Sequence, residues 1–197
     1  MVKTEIVNMV ISTALEEHVN LDKLASTLPN TEYNPEQFPG LIMRIKDPKT
    51  SALIFTSGRV VCTGARNIED AEKSVNKIVE SLKKIKITVK IKPILHVQNM
   101  VASGELGYDL NLNKLAISLN NVEYEPEQFP GLVYKIKTPK TSFLLFGNGK
   151  IVVTGIKTKE DLGKALIILE ENLGKVMEIP KKKQDANKRK ETVSKKK

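Results

Sequence analysis

One 33-residue segment occurs twice in this chain, and that duplication limits the architectures open to it more than any other feature. EYNPEQFPGLIMRIKDPKTSALIFTSGRVVCTG at 32–64 returns as EYEPEQFPGLVYKIKTPKTSFLLFGNGKIVVTG at 123–155, with 21 identities at a constant offset of 91 residues. The same offset carries Asn8 onto Asn99, Val10 onto Val101 and Leu21 onto Leu112. Solenoid repeats run to about 20–50 residues, so this unit is too long to be one of them. It is a duplicated half-domain, and the two halves are expected to be related by a pseudo-twofold axis. Residues 1–92 read as the first repeat, 93–179 as the second, and 180–197 as a separate tail.

Local patterns give the elements of one copy. Residues 4–12 are rich in Ile, Val and Met and read as a strand. Leu21, Leu24, Ala25 and Leu28 have helical spacing, and Pro29 ends that helix. Pro35, Pro39 and Gly40 mark an extended loop. LIMRIK (41–46), SALIFT (51–56) and RVVCTG (59–64) follow, separated by Asp47-Pro48-Lys49 and Ser57-Gly58, so an antiparallel meander is expected. Asn67 can cap a long amphipathic helix whose apolar face is Ile68, Ala71, Val75, Ile78, Val79 and Leu82. The second copy repeats this and ends in a helix over 159–176. Joined, the copies predict an α+β fold with one continuous ten-stranded antiparallel sheet and its helices on one side.

Composition enters as a set of exclusions. At 40% hydrophobic, 197 residues can bury a core, which rules out wholesale disorder. No run reaches the ~18–20 apolar residues of a membrane span. Lys3, Glu5 and Asn8 stand where a secretory signal would be greasy. Cys62 is the single cysteine and has only His18 and His96 for company, so no disulfide, zinc cluster or other cofactor site is expected. These features describe an intracellular, metal-free chain. The net charge of +9 is unevenly placed: the Lys-rich tail carries +7 and the body only +2, with +3 in the first repeat and −1 in the second. Such a tail is too polar to order itself and reads as a disordered solubiliser or an interaction arm.

Alternation along the strands points to the informative surface. Ser51, Leu53 and Phe55 share one face of their strand, and Ala52, Ile54 and Thr56 the other. Val61 and Thr63 oppose Val60 and Cys62 in the next. Both faces are apolar, yet helices on one side can cover only one. An open antiparallel face is ordinarily polar, and a large apolar one marks a binding site. Loops or a second copy of the chain, as a homodimer of the free protein, could also cover it.

The EYNPEQFPGLIMRI…PKTSALIF block, its duplicate, and the repeated VNMV and VQNMV strands resemble the TATA-box-binding protein family, over residues 4 to about 179. The resemblance implies a two-fold pseudo-symmetric saddle with four helices on the convex side and a concave face for A·T-rich promoter DNA. Minor-groove binding with wedge insertion and bending is this family's own described mode. Carried over by position, Phe38 with Phe55 and Phe129 with Phe146 are the DNA-kinking pairs, each 17 residues apart. Asn8, Asn99, Thr63 and Thr154 are the central hydrogen-bonding groups. Val10, Leu53, Val61, Val101, Leu144 and Val152 meet the groove floor. Arg44, Arg59, Lys135 and Lys150 resemble the phosphate-contacting flank. Cys62 departs from an aliphatic residue on the covered face, and Ser142 from a bulkier residue in some relatives.

The resemblance further implies transcription factor B as a partner, with Glu125 and Glu127 as its contacts, and RNA polymerase indirectly. Glu123, Glu125 and Glu127 could suggest an acid pair, but no nucleophile or metal cluster accompanies them; a solvated loop is the plain alternative. His18 and His96 are not equivalent between copies and read as ordinary surface or strand residues. An open-sheet RNA reader would want the K/R-G-F/Y-G/A-F-V-x-F/Y pattern, which is absent. A DNA glycosylase would want a helix-hairpin-helix and a catalytic Lys or Asp module, and no room remains for one. A scaffold that binds no nucleic acid is the third alternative. The expectation is a non-enzymatic promoter factor, cytoplasmic and nucleoid-associated if archaeal, nuclear if eukaryotic. The short stretch before the first strand and the closeness of the copies resemble archaeal members.

Overall fold

The computed structural model describes residues 2–89 and 92–177. The expected tail at 180–197 lies outside the described residues. Ten strands and four helices follow one another twice in the same order. The first set is β1 (Lys3–Ala14), α1 (Leu21–Thr27), β2 (Thr31–Glu32), β3 (Gly40–Ile45), β4 (Thr50–Phe55), β5 (Arg59–Ala65) and α2 (Ile68–Lys84). The second is β6 (His96–Glu105), α3 (Leu112–Ser118), β7 (Val122–Glu123), β8 (Leu132–Ile136), β9 (Thr141–Leu145), β10 (Lys150–Ile156) and α4 (Lys159–Met177). The strands order as β2-β3-β4-β5-β1-β6-β10-β9-β8-β7 in a ten-stranded open sheet. This is the expected α+β architecture. Contacts divide the described residues into two compact units, one within 6–102 and one of residues 2–5 together with 103–177.

In the first of these units the meander forms as the turn residues dictate. β3 pairs with β4 from Gly40↔Phe55 to Ile45↔Thr50, and β4 with β5 from Ser51↔Thr63 to Ile54↔Val60, both antiparallel. Asn67 caps α2 by accepting from the Asp70 amide at 2.7 Å. Asn20 caps α1 in the same way, from the Lys23 amide at 2.8 Å. Caps of this kind are worth about 1 kcal/mol each. Leu21, Leu24 and Leu28 join Ile78 and Leu82 over Leu41, Met43, Ala52, Ile54 and Val60 in one core cluster. Each fully buried Leu or Ile contributes roughly 1.5–3 kcal/mol. The covered face of α2 differs from its reading in two places. Ser74 is fully buried, whereas Ile68, in the first turn, is 40% exposed. Burial of Ser74 is possible because its hydroxyl is paired twice, with the Asp70 carbonyl and with Thr50 Oγ1, both at 2.8 Å.

The other unit repeats the plan with different fillers. β8 pairs with β9, and β9 with β10, both antiparallel. Asn111 caps α3 from the Lys114 amide at 2.9 Å. Leu162, Ala165, Leu166, Leu169 and Leu173 form the buried stripe of α4. Tyr134 and Phe143 are cross-strand partners whose rings stack at 6.0 Å, and Asn172 Nδ2 donates to the Tyr134 hydroxyl at 2.8 Å. A buried phenol with its hydroxyl satisfied brings a large apolar area at no hydrogen-bonding deficit.

Candidate nucleic-acid interface

Strand alternation leaves one face of each unit without helices. Along β4, Thr50, Ala52 and Ile54 are buried while Ser51, Leu53 and Phe55 are half-exposed; β5 continues the pattern with Val61 half-exposed between buried Val60 and Cys62. Cross-strand register assembles the open positions into rows. Arg44, Ser51, Thr63 and Val10 stand side by side, and next to them Ile42, Leu53, Val61 and Ser12. In the other unit Lys135, Ser142 and Thr154 form one row, and Val133, Leu144 and Val152 the next. Val101 and Asn99 are half-exposed positions of β6, separated by buried Met100. Every expected floor residue therefore lies on an uncovered strand position.

Each phenylalanine pair is assembled within one unit. Phe38 and Phe55 meet edge-to-face with centroids 5.9 Å apart and planes at 63°, and Phe129 and Phe146 at 6.0 Å and 67°. The turn before each loop phenylalanine is pinned by one backbone carbonyl. Asn34 accepts from the Phe38 amide at 3.0 Å, and Glu125 from the Phe129 amide at 2.9 Å. The loop rings remain 41% and 42% exposed, although burial of a phenylalanine is strongly favourable. They are held by a structured turn and still presented to the outside.

Asn8 is fixed by a break in the ladder. Met9 pairs with Ala65 but Val10 with Thr63, so Gly64 is an extra residue in β5. Its φ of +99° and the 2.9 Å that would separate a Cβ from the Lys49 carbonyl both demand glycine. The bulge turns the Gly64 amide onto Asn8 Oδ1 at 2.7 Å. An amide N–H can only donate, so the atom facing it must be the side-chain oxygen, and the donor end of Asn8 is thereby defined. That end lies 3.2 Å from Thr63 Oγ1. Gly155 has the matching φ of +91° beside Thr154.

The flanking cations are not all free. Arg44 meets Glu32 through Nε and Nη2 at 3.1–3.3 Å, and Lys135 Nζ meets Glu123 Oε1 at 2.6 Å. Arg59 and Lys150 are exposed at the starts of β5 and β10, and Arg59 lines a cavity of about 600 Å³ with Phe55, Ser57, Val61 and His96. Glu125 and Glu127 are exposed, as is His18. Cys62 is buried on the covered face, where desolvation pushes its thiol up against the opposing pull of hydrogen bonds from Thr50 and Ser74. Reading the sequence missed Ile42 and Val133, which complete the Leu53–Val61 and Leu144–Val152 rows. Alternation within LIMRI and LVYKI, counted from Arg44 and Lys135, carried that signal. It also missed Gly64, whose only trace is a glycine inside a strand pattern.

Fold and face together define a class: a duplicated α+β protein with an open antiparallel sheet and an uncovered, largely apolar face in each repeat. A family model described as transcription factor TFIID, or TATA-binding protein, matches the chain twice, over residues 3–85 and 94–176. The TATA-box-binding protein of Archaeoglobus fulgidus is 51% identical over 173 residues, 87% of this chain and 94% of that protein. That of Picrophilus torridus is 51% identical over 178 residues, 89% and 97% respectively. The solved structure of Methanococcus jannaschii TBP matches with a TM-score of 0.84 at 46% identity, covering 88% of this chain and 99% of its own. The chain belongs to the TATA-box-binding protein family, whose members are DNA-binding transcription factors and not enzymes. Among the described residues, no helix is long and apolar enough to cross a membrane.

Proposed function

We propose that this chain binds TATA-like promoter DNA in the minor groove, bends it by inserting Phe38, Phe55, Phe129 and Phe146, and nucleates initiation with transcription factor B and RNA polymerase. The observation that carries this reading is the pair of edge-to-face phenylalanine wedges, each beside a floor of Leu and Val. At A·T pairs the minor groove offers acceptors alone, whereas G·C adds the guanine amino donor. Val10, Leu53, Val61 and their counterparts Val101, Leu144 and Val152 leave that donor unpaired, which costs about 1–3 kcal/mol. Asn8 supports the same choice, because its oxygen is already occupied by the Gly64 amide and its NH2 keeps a second hydrogen to donate beside the one directed at Thr63 Oγ1. Thr63, and by position Asn99 and Thr154, are assigned the same role. Wedges favour pyrimidine–purine steps, which unstack readily, so deformability reinforces the A·T preference.

Arg44, Arg59, Lys135 and Lys150 supply phosphate contacts at the edges, and Glu125 and Glu127 face transcription factor B. Since the open faces are nearly alike, orientation on the promoter comes mostly from that partner. Such a factor works in the cytoplasm on the nucleoid of an archaeal cell. The test is a competition gel-shift of A·T-rich against G·C-rich duplex at fixed salt, with bending read by fluorescence transfer between the DNA ends. Selective binding with a bend lost in Phe129→Ala and Phe146→Ala is expected. Equal affinity for both duplexes refutes the groove assignment, and wild-type bending by the folded variants refutes the wedges. Leu53→Lys should abolish selectivity while leaving the melting temperature in place.

A further inference from the structure

We infer that Gly40 and Gly131 are positioning residues that set each loop phenylalanine against its strand partner, so that the pair meets DNA as a preassembled wedge. The inference rests on the wedge reading above. A Cβ on Gly40 would stand 2.6 Å from Phe38 Cε1 and 3.0 Å from Phe55 Cε1. On Gly131 it would stand 2.6 Å from Phe129 Cε1 and 3.0 Å from Phe146 Cε1. The two repeats thus reproduce the same contact on both rings of each pair.

Backbone conformation does not explain these glycines. Neither lies at positive φ, unlike Gly58, Gly64, Gly149 and Gly155. Gly40 is a regular member of β3, paired with Phe55 in the β3–β4 ladder, and a strand interior ordinarily favours a residue with a side chain. What fills the space of the missing side chain is the phenylalanine ring. Among the described glycines, these two alone would direct a Cβ into an aromatic ring; at the positive-φ positions Gly58, Gly64, Gly149 and Gly155 the nearest atom is a backbone oxygen. Both loop rings are about two-fifths exposed. An added methyl therefore moves the half-exposed ring rather than the backbone, which is held by the β3–β4 ladder at Gly40 and directly precedes β8 at Gly131. The displaced ring no longer packs edge-on, and the wedge loses the shape both repeats share.

The experiment compares Gly131→Ala, Phe129→Ala and the double variant by end-to-end fluorescence transfer on an A·T-rich duplex, with melting curves and the ring proton shifts of 13C-labelled phenylalanine in the DNA-free protein. Gly131→Ala is expected to melt like the parent, to shift the Phe129 and Phe146 ring signals, and to reduce the bent population at least two-fold. In the Phe129→Ala background the glycine substitution should add nothing. Wild-type bending by Phe129→Ala overturns the wedge reading itself. Bending lost in Phe129→Ala but kept in Gly131→Ala, or an equal further loss in the double variant, overturns the glycine's role alone. Gly40→Ala with Phe38 is the parallel test should Gly131→Ala melt early. Collapse of the fold in both alanine variants also overturns the inference, because the atom expected to give is a ring carbon and not backbone.

Discussion

The open faces of the two repeats are nearly identical, whereas several positions buried beneath the helices are not. On the open face, Asn8, Val10, Ser12, Leu53, Phe55, Val61 and Thr63 recur unchanged as Asn99, Val101, Ser103, Leu144, Phe146, Val152 and Thr154, and Ile42, Arg44 and Arg59 change only to Val133, Lys135 and Lys150. Beneath the helices, Met43, Ala52, Cys62 and Ser74 become Tyr134, Phe143, Val153 and Ala165. A core needs the right volume, its polar atoms satisfied and good rotamers, and several sets of residues meet that need. An open face answerable only to water would drift more freely still. That it does not drift means something outside the repeat constrains it, and constrains both copies alike. A duplex, with its own twofold, is such a ligand.

The sharpest way to break this comparison is to truncate neighbours that point in opposite directions. Phe143 is fully buried and Leu144, the next residue, is half-exposed. Phe143→Ala should lower unfolding free energy by about 3–5 kcal/mol, measured by denaturant titration. Below its melting point, its A·T selectivity should persist. Leu144→Ala should change stability by about 1 kcal/mol or less, as expected away from the packed core, yet weaken A·T binding at least ten-fold in the gel-shift. If both substitutions act through stability alone, the division of labour between the faces fails.

A smaller effect separates the two cores themselves. Thr50 and Thr141 occupy the same place, but Thr50 Oγ1 has Ser74 Oγ at 2.8 Å, whereas Thr141 Oγ1 is buried with no hydrogen-bond partner among the described residues. Ala165 stands where Ser74 would satisfy it. An orphaned hydroxyl costs about 1–3 kcal/mol, and a made hydrogen bond contributes about 1 kcal/mol. Thr→Val should therefore have opposite signs: Thr141→Val raises stability by about 1 kcal/mol and Thr50→Val lowers it by about as much. Melting curves of the two single variants decide it, and a common sign would mean that the cores handle the hydroxyl alike. Ala165→Ser offers a second route to the same gain.

The Thr50 cluster also includes Cys62, whose thiol is raised chiefly by desolvation. A thiol with a raised folded value is deprotonated first in the unfolded chain. Its contribution to stability is therefore complete at neutral pH and declines as alkali ionises the unfolded chain. Iodoacetamide should label Cys62 slowly in the native protein and rapidly once it is unfolded; fast native labelling would place the thiol outside the core.

The open face was legible because strand alternation and duplication reinforce each other: Leu53, Phe55, Val61 and Thr63 share one parity and recur at one offset. The helices were legible through their apolar period and through the cap at Asn67. Ile42 and Val133 were legible only by counting parity from Arg44 and Lys135, since β3 and β8 otherwise read as nearly continuous apolar runs. The fixed orientation of the Asn8 amide depends on a bulge, and a register shift between β1 and β5 has no local signature beyond a glycine. The ion pairs of Arg44 and Lys135 were missed because Glu32 and Glu123 lie 12 residues away on another strand. Long-range pairing of that kind follows from register, which no single segment encodes.

Those ion pairs supply the smallest expected effect and the finest distinction between the repeats. The Arg44–Glu32 contact engages two guanidinium nitrogens and both carboxylate oxygens, whereas Lys135 makes a single contact with Glu123. Both pairs are exposed, so Glu32→Gln and Glu123→Gln should each alter stability by no more than about 1 kcal/mol. Their consequence lies in binding, because a phosphate approaching Arg44 or Lys135 must compete with a carboxylate already in place. Removing the carboxylate should tighten DNA binding and steepen the dependence of log affinity on log salt by up to about one unit per site. The planar, two-point pairing of arginine is harder to exchange than lysine's point charge, so Glu32→Gln should have the larger effect. Equal slopes in both variants and the parent would show that neither cation reaches a phosphate. A larger effect at Glu123 would reverse the ranking of the two flanks and assign the tighter electrostatic latch to the second repeat.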